Sequence, residues 1–325
     1  MRTRQPHRIT RRVLLEASVG AICAAGAAAG AKARVVVARH PTLRSGGKSP
    51  DSQRVLQLLD RAMQSFFTAD SPQDGWKKVV RPGEVVGLKV NCLSGRGGST
   101  SPVLVEAICE RLEQAGIPQR DIVIWDRLNS DLESAGYRVS SRTDRIRCVG
   151  NDTAGYGNEL AVYGSAGSLL SNTLAETCDT VINLPVLKDH GIVGVTLALK
   201  NLFGAIHNPN KYHMNGGNPY VADVNMFPEI RRKVRLTICD AITAQYEGGP
   251  SYMPQWSWPF DGLLVAADPV ALDYTGWQII EQKRAQQGMK SLRELRREPL
   301  YIATAADSVH GLGTNDPKWI HRLEV

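Results

Sequence analysis

Residues 85–126 read VVGLKVNCLSGRGGSTSPVLVEAICERLEQAGIPQRDIVIWD. Val85–Val90 follows the turn Pro82-Gly83 and is almost continuously apolar, which marks a strand covered on both faces. Ser94–Thr100 is a Gly-rich loop. Pro102–Ala115 then carries helix signals: Ser101 at the N-cap, Pro102 in the first turn and Gly116 as the stop. Ile122–Trp125 is a second short apolar strand, ending on Asp126.

The same alternation runs along the rest of the chain. Strands are expected at Arg34–Ala38, Asp179–Leu184, Arg235–Cys239 and Leu263–Ala266, and helices at Ser52–Phe67, Val193–Phe203 and Pro269–Gln282. Short apolar strands alternating with helices predict an α/β fold: a mostly parallel sheet with helices on both faces. One domain is expected over residues 34–325, with loop insertions. The Gly-, Ser- and Thr-rich stretch 139–167 reads as an insertion or small lobe, and 207–259 as a loop-like lid carrying Trp256 and Trp258.

Residues 1–33 read differently. Five arginines (Arg2, Arg4, Arg8, Arg11, Arg12) precede an Ala/Gly-rich apolar stretch that contains Glu16. Basic, apolar, then small residues is the order of a cleavable export signal. Arg11-Arg12 ahead of Val13-Leu14-Leu15 resembles the twin-arginine type, with candidate cuts after Ala29, Ala31 or Ala33. The twin-arginine translocation machinery is then an expected partner, and an exported, periplasmic location is expected. The stretch is too weakly apolar for a permanent membrane span. The formal charge of +7 drops to +3 once residues 1–31 are removed, a balance that does not call for nucleic acid.

The remaining cysteines, Cys92, Cys109, Cys148, Cys178 and Cys239, form no Cys-x-x-Cys pair and read as small core residues. No iron–sulfur ligand motif is encoded.

Ligands in open parallel sheets bind beyond the carboxyl ends of the strands. Polar groups stand at five such ends: Lys89 and Asn91, Asp126, Lys188 to His190, Asp240 and Asp268. The Gly-rich loop reads equally as an anion cradle at a helix N-terminus or as a plain turn, since it is neither a Walker sequence nor Gly-x-Gly-x-x-Gly. In the expected helix Val193–Phe203, Thr196 and Lys200 share a face and Asn201 lies beside them. His207, His213, Asp240, Glu247 and Asp268 have the chemistry of metal ligands but no compact ligand spacing.

These residues also carry a resemblance. The strings Gly87-Leu88-Lys89-Val90-Asn91, Leu184-Pro185-Val186-Leu187-Lys188-Asp189-His190 and Val195–Gly204 resemble the family named domain of unknown function 362. Asp240, Gly248-Gly249-Pro250 and Asp268-Pro269-Val270-Ala271-Leu272-Asp273 complete the match. Some relatives carry ferredoxin-like cysteine clusters, so the resemblance implies redox chemistry. This chain lacks those clusters, and an electron-transfer partner would be a separate protein.

Together these readings predict an enzyme, an oxidoreductase by association, acting on a small anionic or carbonyl-bearing substrate. Lys188, His190, Lys200 and Asp240 are the expected catalytic groups. Lys89, Asn91, Thr196, Asn201 and Asp126 are the expected ligand-binding groups, and Asp268, Glu247 and His207 the weakest set, for a divalent metal. The alternative is a non-catalytic cofactor- or metal-binding protein or maturation factor. Lys188, His190, Lys200 and Asn91 are expected to converge on one cavity. Lys200 there would meet Asp126, Asp240 or Asp268, or await an anion.

Overall fold

The computed structural model describes residues 31–325. The twin-arginine reading falls on residues outside that range, save for the last positions before the candidate cuts.

Twelve strands form: β1 (Ala33–Arg39), β2 (Val86–Lys89), β3 (Ile122–Asp126), β4 (Arg147–Gly150), β5 (Tyr156–Tyr163), β6 (Ala166–Ser171), β7 (Thr180–Asn183), β8 (Val186–His190), β9 (Gly194–Thr196), β10 (Val234–Gln245), β11 (Ser257–Ala266) and β12 (Ile320–Glu324). Ten of them make one sheet in the order β12-β1-β11-β10-β7-β2-β3-β4, with β8 paired to β10 and β9 paired to β8. The pairs β2/β3, β2/β7, β3/β4, β7/β10, β8/β10 and β1/β12 are parallel, and β1/β11, β10/β11 and β8/β9 antiparallel. The fold is therefore α/β with a mostly parallel sheet.

Side-chain alternation along each strand divides the core in two. Val36, Ala38, Leu88, Ile182, Ile238 and Val265 face helices α1 (Ser52–Phe67) and α2 (Pro102–Gln114), against Leu58, Leu59, Leu104 and Ile108. Val35, Val37, Trp125, Val181, Cys239 and Leu264 face the other layer, built from the one-turn α3 (Ala198–Asn201) and the long α4 (Pro269–Gln286). Leu199, Leu272 and Ile280 are fully buried there. All five cysteines of this region are free and buried, in keeping with packing roles.

Two sequence expectations are corrected. Val193–Phe203 is not a continuous helix. Lys188 pairs in register with Thr196, so the segment begins as β9, then turns into α3 and a 3₁₀ turn over Leu202–Ala205. A segment apolar on all sides satisfies helix and strand templates alike, and here pairing with β8 decides it. The stretch 207–259 is not loop-like: it contains two short α-helices, two 3₁₀ segments, all of β10 and the start of β11, where Trp258 packs between Tyr246 and Phe260, while its Pro209, Asn210, His213 and Pro250 border a cavity. The stretch 139–167 holds β4 and much of the separate β5/β6 hairpin. Among the described residues no helix is long and apolar enough to cross a membrane.

Candidate active site

A cavity of about 340 Å³ opens where β2, β3, β8 and β9 end, lined by Lys89, Asn91, Asp126, Lys188, His190, Thr196, Lys200 and Asn201. The convergence expected of Lys188, His190, Lys200 and Asn91 is thus found. Arg127, Asp131, Phe203, Gly204 and His213 complete much of the wall.

The three lysines are treated very differently. Lys89 points into this layer because its neighbours Leu88 and Val90 point into the other. Its ammonium donates to Asp126 Oδ1 and to the Val90 carbonyl, each at 2.7 Å, and lies 5.5 Å from the Trp125 ring centroid. The second Asp126 oxygen accepts from the Cys92 N–H at 2.7 Å. Lys188 donates to three neutral acceptors: Asn91 Oδ1 at 2.8 Å, Ser94 Oγ at 2.5 Å and the Gly98 carbonyl at 2.8 Å. Its donors are all committed, and burial pulls its amine down to about 8.

Lys200 has neither arrangement. Its ammonium sits 4.3 Å above the Phe203 ring and has no carboxylate or carbonyl partner among the described residues. Burial first, then the like charges of Lys188, Lys89 and Arg127, lower its amine to about 7. Beside it, the Thr196 hydroxyl is buried with no hydrogen-bond partner.

His190 Nδ1 accepts from the Ile192 and Val193 N–H groups at 3.2 and 3.3 Å, which leaves the proton on Nε2. Burial, reinforced by Lys200, His213 and Lys188, holds the ring down to about 2, so it is neutral at every physiological pH. His213 stacks on it with ring centroids 5.5 Å apart.

The lysine-bearing turn is clamped by buried polar groups. Asp273 accepts from the Ala198 and Leu199 N–H groups at 2.6 and 3.2 Å. Asn225 donates to the Leu199 carbonyl at 2.9 Å and Asn183 to the Ala198 carbonyl at 2.9 Å. Asn201 donates to Asn183 Oδ1 at 2.7 Å and accepts from Asn91 at 3.0 Å. This amide chain joins β2, β7 and α3 and fixes the cavity floor.

The other candidates stand elsewhere. Asp240 shares its strand face with Ile238 and Ile242, on the α2 side of the sheet, and does not line the cavity. Its carboxylate accepts from the Ser101 N–H at 2.7 Å and the Ile242 N–H at 2.9 Å, so it occupies the N-terminus of α2. That carboxylate stands at the helix N-terminus into which the Gly-rich loop leads. Gly97 admits the Tyr252 ring, since a Cβ there would lie 2.5–3.0 Å from ring atoms, and a Cβ at Gly98 would stand 2.9 Å from both Ser94 Cβ and Tyr252 Cβ.

Asp268 lies away from the cavity because β11 runs antiparallel to β10, which sends its carboxyl end to the opposite sheet edge. It caps α4 through Ala271 N–H at 2.8 Å and accepts from Thr314 N–H at 3.0 Å. Glu247 is held by Arg284 and by Arg297, the latter at 2.7 Å. His207 packs edge-on against Tyr156. Asp268, Glu247 and His207 therefore do not assemble, and among the described residues no three His, Cys, Asp or Glu side chains form a metal-binding group.

Arg127, Asp131 and Phe203 were missed by the sequence reading, although Arg127 directly follows Asp126. Asp273 lies within the motif Asp268–Asp273 and could have been found there, as a buried acid on an otherwise apolar helix face.

An α/β sheet with a cavity at its strand ends, lined by buried lysines, a histidine and an amide, defines the class. The chain belongs to the family described as domain of unknown function (DUF362), whose model matches residues 86–278. That span contains every residue of the cavity named above. A thylakoid-associated protein of Synechocystis sp. is similar, with 29% identity over 235 residues that cover 67% of this chain and 70% of that protein. A crystal structure of a Thermotoga maritima protein aligns with a TM-score of 0.41 and 9% identity, over 75% of this chain and 60% of that one.

Proposed function

We propose that the protein is an exported enzyme that binds a small anionic or carbonyl-bearing substrate in the lysine cavity. The observation that carries this reading is Lys200. A buried ammonium is normally paired, because an uncompensated one costs several kcal/mol. Lys89 has Asp126 and Lys188 has three acceptors, while Lys200 has only an aromatic face. The Thr196 hydroxyl is a second unspent polar group. Arg127 is matched by Asp131 at 3.2 Å, so the surplus positive charge rests on the two lysines Lys188 and Lys200. An anionic ligand supplies a hydrogen-bond acceptor for Lys200 and a counter-charge for both.

Thermal melting with a panel of small mono- and dicarboxylates tests the reading. Acids that bind should raise the midpoint, and Lys200→Met should abolish the rise. A panel that stabilises wild type and Lys200→Met equally would refute it.

Export is part of the same proposal. The basic, apolar and small-residue order of residues 1–33 supports it. Replacing Arg11 and Arg12 by lysine should leave full-length precursor in the cytoplasm. Normal processing of that variant would remove the twin-arginine assignment.

A further inference from the structure

We infer that Lys200 forms an imine with the carbonyl carbon of a small 2-oxo acid or aldehyde acid, with Thr196 and His190 at the carbonyl oxygen. The inference rests on the cavity being a site for small anions, and it names the substrate class and the chemistry.

An attacking amine needs an uncommitted lone pair and room for a carbon atom. Of the three cavity lysines, Lys89 is locked by Asp126 and Val90, and Lys188 spends all three N–H groups. Lys200 alone faces the cavity without an acceptor. Burial among like charges keeps a large share of its amine neutral near pH 7, the usual way a lysine becomes a nucleophile.

The oxygen needs hydrogen-bond donors as charge develops on it. Thr196 has an unspent hydroxyl, 4% exposed for the residue as a whole. His190 offers a neutral Nε2–H, since its Nδ1 is taken by the backbone. A neutral imidazole donates a hydrogen bond without adding a further charge beside Lys200. The substrate carboxylate offsets the buried Lys188 cation, which touches no acid.

The balance closes without an oxidant or reductant. The neutral amine attacks the carbonyl carbon, an N–C bond forms, and the C=O π pair moves to oxygen. One nitrogen proton passes to that oxygen, giving a carbinolamine. A second proton, from solvent, lets the hydroxyl leave as water while the nitrogen pair closes the C=N bond. The product is a protonated imine, and its positive charge remains over the Phe203 face.

The test treats the full chain with glyoxylate or pyruvate and cyanoborohydride, followed by peptide mapping. Glycolate and lactate, which lack the carbonyl, serve in parallel melting measurements. Lys200 should acquire the carboxymethyl or carboxyethyl group roughly tenfold or more faster than surface lysines at pH 7, since their amines stay protonated there. Lys200→Arg should lose the label yet still be stabilised by lactate; if that variant does not fold, the wild-type peptide map decides. Labelling spread over surface lysines with Lys200 unmodified, while all four acids stabilise equally, overturns the imine and leaves the anion site standing. No stabilisation by any acid and no Lys200 label overturns both.

Discussion

The Lys89 ammonium and the Asp126 carboxylate meet at 2.7 Å beneath Gly204, whose missing side chain makes room for them. A Cβ at Gly204 would stand 2.7 Å from Lys89 Nζ and 2.8 Å from Asp126 Oδ1. The pair joins the ends of β2 and β3 and, through the second Asp126 oxygen, orders the start of the loop after β2 at Cys92. Gly204→Ala should therefore cost about 1–3 kcal/mol, the usual scale of overpacking. Asp126→Asn should cost more, about 3–5 kcal/mol, because it strands a buried lysine. Urea unfolding of the two variants checks both values and their order.

Removing the Lys200 charge should act in the opposite direction. The folded-state amine is lowered to about 7, below the value of about 10.4 for an unfolded lysine. Between these values the unfolded chain binds the extra proton, so stability rises with pH across that window. The stability that the neutral amine permits is complete above the unfolded value and is lost as pH falls through about 7. Lys200→Met keeps the length and deletes the charge. It should stabilise by one to a few kcal/mol at pH 6, the scale of an uncompensated buried charge, with the gain shrinking towards pH 10. Denaturant midpoints at the two pH values decide it; a destabilised variant at pH 6 would mean that Lys200 has a structural partner.

Much of this arrangement was legible in the sequence, and the limits have physical causes. β-Branched runs located the central strands, because parallel strands covered on both faces leave a continuous apolar signature. Lys89, Asn91, Lys188 and His190 were placed near one another because strands running the same way deliver their ends to one edge. That logic failed for Asp268, whose strand is antiparallel, and strand direction leaves no mark in a short apolar run. It failed for Asp240 because β10 continues past it to Gln245, and the alternation turns its side chain to the other face. Thr196 and Lys200 do reach one cavity, but from a strand and a following turn rather than from one helix face. Which acid pairs with which lysine is a matter of tertiary distance, and the choice of Asp126 by Lys89 could not be read from spacing.

Asp273 is a positioning residue for the lysine turn. It is fully buried, and its two oxygens accept from consecutive N–H groups of α3, one and two residues before Lys200. Burial raises its carboxyl well above the usual range, while the two backbone bonds act against that rise. Asp273→Ala leaves two buried N–H groups without acceptors and should cost about 2–4 kcal/mol. Asp273→Asn keeps one acceptor oxygen and should cost less. Carboxylate-induced stabilisation should fall in both variants, since Lys200 is no longer held in place. Unchanged ligand-induced shifts in a folded Asp273→Ala protein would show that α3 positions itself.

His310 makes the stability of the opposite flank pH-dependent. Its Nε2 lies 2.9 Å from Asp223 Oδ1 and its Nδ1 2.9 Å from Asp307 Oδ1, so both nitrogens face carboxylates. The other Asp223 oxygen accepts from the Ser165 N–H at 2.8 Å, which ties the β5/β6 hairpin to the same cluster. Burial opposes the charged ring, but the hydrogen bonds it donates to the two carboxylates prevail and raise its pKa above the ordinary histidine value. A raised folded value gives stability that is fully present below the unfolded value of about 6.5 and is lost as pH rises through the folded one. Asp307 is exposed, so solvent screening keeps the effect small. His310→Gln should lower Tm by about 1–3 °C at pH 5.5, with a smaller difference at pH 9. Hydrogen exchange of the hairpin amides should accelerate in the same pH order, because the ring and Asp223 anchor that hairpin. A Tm difference that is equal at both pH values, or larger at pH 9, would show that His310 contributes by packing rather than by its charge.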